Sequence, residues 1–105
     1  MNFILVTSAT STLLNANEIA SRIMSEKLAA CVHVSPITSH YFWKGKIENQ
    51  PEFLISIKTI MPAFEKLEAC IKSTHNYELP EISFTQITGG SKEYLNWILE
   101  AVETL

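Results

Sequence analysis

The 105-residue chain is 47% hydrophobic and 18% charged, with eight Lys and Arg against eleven Asp and Glu and a formal net charge of -3. That balance excludes a binder that tracks nucleic-acid phosphates, which needs clustered basic residues, and the length suits one domain, residues 1–105, with a modest core. The charged share lies below the usual ~25%, which points to apolar surface covered in an oligomer.

Cys31 and Cys70 are too few and too far apart for a disulfide framework. The opening MNFILVTSATST has no basic segment and a short apolar run, so it does not read as a signal peptide, and no run approaches the ~20 apolar residues that span a bilayer. No membrane partner and a cytoplasmic protein are expected.

NFILVT reads as a buried strand. Thr12, Asn15 and Asn17 offer cap chemistry. Ala16, Ile19, Ala20, Ile23, Lys27 and Leu28 then recur with helical period opposite a polar face, predicting an amphipathic helix that runs to Ala30. CVHV begins a strand, and residues 30–59 hold strand-formers around a turn signal at Trp43-Lys44-Gly45-Lys46. Pro36 predicts an edge position, a bulge or a bend in the first arm, and Pro51 disturbs the second. As one hairpin, each arm of about 14 residues spans ~46 Å, whereas a 15-residue helix covers ~22 Å. The distal half, with Tyr41, Phe42 and Trp43, must lie exposed or pack on another subunit.

Pro62 suits the first turn of a second helix, with Phe64, Leu67, Cys70 and Ile71 as its apolar stripe and Glu68 and Lys72 as an i,i+4 pair. Leu79-Pro80 forces extended backbone and ends the helical region. EISFTQIT is a strand, Gly89-Gly90 breaks it, and Ser91 is a plausible N-cap for a last helix carrying Tyr94, Leu95, Ile98, Leu99 and Val102. The order β-α-β-β-α-β plus a final helix predicts an α+β, ferredoxin-like sandwich with a long hairpin.

Chemistry is sparse. Cys31 and His33 share a strand face and could start a copper or zinc site, yet no further ligands stand at motif spacing, so core packing is the simpler reading. His40 beside Tyr41 and Trp43 reads as interface packing before ligand binding. Gly89-Gly90 lacks any phosphate-loop pattern. No Ser or Cys has a His at motif spacing, so no catalytic nucleophile is assigned. STHNYELPEIS, residues 73–83, brings His75, Tyr77, Glu78 and Glu81 together. Carboxylates with imidazole suit a borderline divalent metal or acid–base work, and the same residues could be the polar collar between helix and strand.

The stretches SEKLAACVHVSPI, SHYFWKGKIENQPEFLISIKT, HNYELPEI and SKEYLNWI resemble the CutA divalent-cation-tolerance family in order and over most of the chain. The resemblance implies a homotrimer of ferredoxin-like subunits, similar in architecture to the PII signal proteins. It further implies a link to divalent metals, copper in some members, and no established enzymatic activity. In copper-binding members a cysteine ends the first strand, a histidine precedes the HPY-type motif, and a glutamate follows its proline. Here Thr7 or Ser8 stands at the cysteine place, Thr74 at the preceding histidine, His75 matches the motif's own histidine and Asn76 replaces its proline. Glu81 survives. A hydroxyl is a poor copper ligand beside a thiolate. The resemblance leaves Glu81 and His75 as metal candidates and Trp43, Lys58, Tyr77 and Trp97 as lining of an inter-subunit cleft for a divalent cation or small molecule. The alternative is a small-molecule acid–base enzyme using Glu81 and His75. An RNA-binding domain would need basic, aromatic central strands, which are missing.

Overall fold

The computed structural model describes residues 2–102. Strand β1 (Phe3–Thr10) leads into helix α1 (Leu13–Ser25), the hairpin strands β2 (Cys31–Trp43) and β3 (Lys46–Ile60), helix α2 (Phe64–Thr74), strand β4 (Ser83–Ile87) and helix α3 (Lys92–Val102). The strands form one sheet in the order β2-β3-β1-β4, antiparallel at every pairing. This is the ferredoxin-like βαββαβ sandwich, extended by the hairpin and by α3.

Alternation along the strands divides the sheet into two faces. Ile4 and Val6 of β1 and Ile55 and Ile57 of β3 meet Ala16, Ile19 and Ile23 of α1 and Leu67 and Ile71 of α2, and all nine are completely buried. Each Val, Leu or Ile side chain among them is worth ~1.5–3 kcal/mol in removed water contact. Phe64 of α2 meets Phe84 of β4 edge-on, with ring centroids 4.8 Å apart. On the opposite face α3 covers one end, packing Leu95, Ile98, Leu99 and Val102 with Phe3 and Ile60. The Ser91 hydroxyl accepts the Tyr94 N–H at 3.2 Å and caps α3 as its sequence predicts.

One boundary differs from expectation. Helix α1 stops at Ser25 rather than running to Ala30. Glu26 is the C-cap, Lys27 turns left-handed at φ 57°, and the Leu28 N–H reaches back to the Ile23 carbonyl. That is a Schellman ending with lysine where glycine is usual, which hid it in the sequence; it drops Leu28 into the core. Pro36 takes the edge position its sequence predicts, and the disturbance expected at Pro51 does not occur, since the register runs unbroken through both prolines. Pro36 lies on the edge strand β2, and Pro51 lies just past Phe53, the last β3 residue paired with β1. Each can therefore turn its missing N–H toward an unpaired side.

The hairpin closes through Lys44 and Gly45, both at positive φ, in register from Trp43↔Lys46 back to Cys31↔Lys58. Its distal half extends beyond β1 and makes the protomer 44 Å long. Phe42 and Ile47 face each other there across the ladder, 78% and 74% exposed.

Candidate functional site

The segment after α2 is held by two polar side chains. Asn15, 1% exposed, accepts the Thr10 hydroxyl at 2.6 Å and the Asn76 N–H at 3.2 Å through Oδ1, while its Nδ2 donates to the Thr74 carbonyl at 3.0 Å. It ties the end of β1 and the start of α1 to the end of α2. His75 is the second clasp. The Tyr77 N–H donates to its Nδ1 at 3.0 Å, which leaves the proton on Nε2, and Nε2 donates to the Ala9 carbonyl at 2.8 Å. Both ring nitrogens are thereby used on backbone groups. Leu79-Pro80 then keeps the chain extended into β4.

Fixing residues 75–81 this way sets Tyr77 against the hairpin. Its ring leans on His75, with centroids 4.9 Å apart, and its hydroxyl donates to Glu52 Oε2 at 2.5 Å. Burial pushes the Tyr77 phenol well above its ordinary value, and the hydrogen bond to Glu52 adds to the rise. Glu52 is 6% exposed and accepts from a neutral phenol. Between the hairpin and this segment opens a cleft of about 1020 Å³, lined among others by Tyr41, Trp43, Glu52, Tyr77, Glu78 and Glu81. Of the lining residues, Glu81 accepts the Thr7 hydroxyl at 3.0 Å through Oε2, and the Thr7 hydroxyl lies 3.4 Å from that of Ser83.

The residues singled out in the sequence fall into separate groups. Trp43, Tyr77 and Glu81 line this cleft. Lys58 and Trp97 do not. Lys58 Nζ donates to the Tyr94 hydroxyl at 3.2 Å, and Tyr94 lies 5.5 Å from Trp97 between ring centroids, so these two join a cluster between β3 and α3. Cys31 Sγ and His33 Nε2 are 3.3 Å apart on β2. Glu52 and Asn15 carry the site's buried polar contacts, and neither was assigned to it from sequence; their partners stand 25 and about 60 residues away along the chain.

The metal set expected from the resemblance meets a different arrangement. Thr7 points to the side of β1 where Glu81 lies, but Ser8 points to the helix side, is completely buried, and its hydroxyl has no partner among the described residues. His75 has no free ring nitrogen, and no three His, Cys, Asp or Glu side chains converge as a ligand set among the described residues. Within one protomer these residues do not fit a copper centre, which favours nitrogen and sulfur donors.

Known proteins place the chain firmly. The family profile described as "CutA1 divalent ion tolerance protein" matches residues 4–101. A divalent-cation tolerance protein CutA of Archaeoglobus fulgidus is 42% identical over 102 residues, covering 97% of this chain and 98% of its own. The solved structure of the A. fulgidus protein, called periplasmic, superposes with a TM-score of 0.92 at 38% identity, over 95% of this chain and 98% of that one. CutA1 from Oryza sativa superposes at 0.93 with 35% identity, over 97% and 94%. With the profile spanning residues 4–101 and solved members superposing over nearly the whole chain, the chain belongs to the CutA1 divalent ion tolerance family.

Proposed function

We propose that this protein is a non-enzymatic binding module of divalent-cation tolerance that works as a homotrimer and holds its ligand at the cleft between the long hairpin and residues 75–81. The observation that carries this reading is the hairpin's reach. Phe42 and Ile47, opposite each other and more than 70% exposed, stand on an arm that extends past the last residue paired with β1. Large apolar side chains so placed favour burial against another copy, and the cleft along the arm then lies beside a subunit boundary, where ligand sites are common.

An acid–base enzyme using Glu81 and His75 has less support. Both imidazole nitrogens are spent on the Ala9 carbonyl and the Tyr77 N–H, so His75 has no lone pair aimed at a substrate. Glu81 is exposed and spends Oε2 on the Thr7 hydroxyl. The metal arm of the proposal therefore rests on Glu81, with further donors coming from a neighbouring subunit.

Sedimentation equilibrium tests the assembly, with a species three times the 11.8 kDa chain expected; a single-chain mass overturns it. Calorimetric titration with Cu²⁺ and Zn²⁺ tests the ligand: uptake that Glu81→Ala abolishes supports the cation reading, and no uptake near pH 7 sinks it. His75→Ala is expected to lower thermal stability whatever it does to metal.

A further inference from the structure

We propose that this cleft binds an organic cation, an ammonium group carried on an apolar body. The proposal rests on reading the cleft as a ligand site.

Charge is the first ground. Glu52, Glu78 and Glu81 line the cleft against a single histidine, His40, and no lysine or arginine does. The two ion pairs among the described residues, Arg22–Glu26 and Lys72–Glu68, lie elsewhere. Three carboxylates against one histidine disfavour anions in this cleft. Glu52 is the second and stronger ground. It is 6% exposed, and its hydrogen-bond partner, the Tyr77 hydroxyl, is neutral. Carboxylates buried to this degree are ordinarily paired with a cation, and the described protomer supplies none. A positive group entering the cleft completes that pairing.

The walls select the kind of cation. Tyr41, Trp43 and Tyr77 present aromatic rings, and aromatic faces attract ammonium groups through their quadrupole. Lys44 already shows the effect, with Nζ 5.6 Å from the Trp43 ring centroid. A bare metal ion gains little from such walls, and His40 and the lining carboxylates do not converge as a set of three ligands among the described residues. A volume of about 1020 Å³ matches the size of small-molecule sites and leaves room for an apolar body against Leu79 and Pro80.

The experiment is calorimetric titration of the full chain with benzylamine, with its neutral counterpart benzyl alcohol, and with ZnSO₄. Saturable benzylamine binding is expected, about tenfold or more tighter than benzyl alcohol, since a charged hydrogen bond is lost in the alcohol. Glu52→Gln should weaken the amine about tenfold or more, and Trp43→Ala several-fold. Thermal melting monitors folding; if Glu52→Gln melts early, Trp43→Ala at the exposed mouth decides. Equal affinity for amine and alcohol overturns the proposal, as does amine binding that ignores both substitutions. Zn²⁺ uptake dependent on Glu81, without benzylamine binding, removes the organic cation and keeps the cleft as a site. Failure of all three ligands removes both.

Discussion

The hydroxyl of Ser8 is completely buried on the helix side of β1 and has no partner among the described residues. An orphaned buried hydroxyl costs ~1–3 kcal/mol, so Ser8→Ala is expected to stabilise the protein by about 1 kcal/mol, read as a higher urea midpoint. Tyr77→Phe tests the opposite case. Removing its hydroxyl deprives buried Glu52 of its partner and should cost about 1–3 kcal/mol. The Tyr77 phenol is raised above its ordinary 10.0, chiefly by burial. A raised acid contributes stability that is fully present below the unfolded value and is lost as pH rises past it. The wild-type melting temperature should therefore fall above about pH 10, and Tyr77→Phe should flatten part of that fall; equal slopes would refute the assignment. His75, Tyr77 and Glu81 were legible as a group because seven consecutive residues hold all three. Glu52 was not, because its partner comes from a segment that only folding brings near.

At the scale of elements, two left-handed residues make a matched pair of tests. Gly45 sits at φ +80° with nothing within 4 Å of where a Cβ would stand, so only backbone strain opposes a side chain. Gly45→Ala is expected to destabilise by ~1–2 kcal/mol by the penalty of the left-handed region. Lys27 adopts φ 57° at the end of α1, and Lys27→Gly should stabilise by about 1 kcal/mol in chemical denaturation, because glycine takes that conformation without the penalty. The hairpin turn was readable, since Lys-Gly between strand-formers gives one residue suited to positive φ. The end of α1 was not, since helical period continues through Lys27 and Leu28 and no glycine marks the stop.

For the whole molecule, the sheet order decides what becomes a site. Pairing of β3 with both β1 and β2 carries Glu52 to the end of the β1 ladder, while α2 delivers Tyr77 to the same place. The same pairing leaves the hairpin tip outside the core. Phe42→Asp with Ile47→Asp should shift the sedimenting species toward the single 11.8 kDa chain and leave circular dichroism unchanged, because both side chains are exposed in the protomer. An undiminished mass would show that the tip lies outside the subunit contact.

The amino-acid sequence by itself determined the kind and order of the elements, the overlong hairpin, the α3 cap at Ser91 and the family, because hydrophobic period, turn residues and motif spacing are local properties of a chain. Tertiary structure alone decided that Thr7 meets Glu81 while Ser8 is buried without a partner among the described residues. It also decided that His75 clasps backbone rather than offering a nitrogen, that Lys58 and Trp97 stand apart from the cleft, and that a glutamate in mid-hairpin is buried beside a tyrosine. Those outcomes depend on which strands pair and in what register, and a pairing between residues tens of positions apart leaves no local pattern to read.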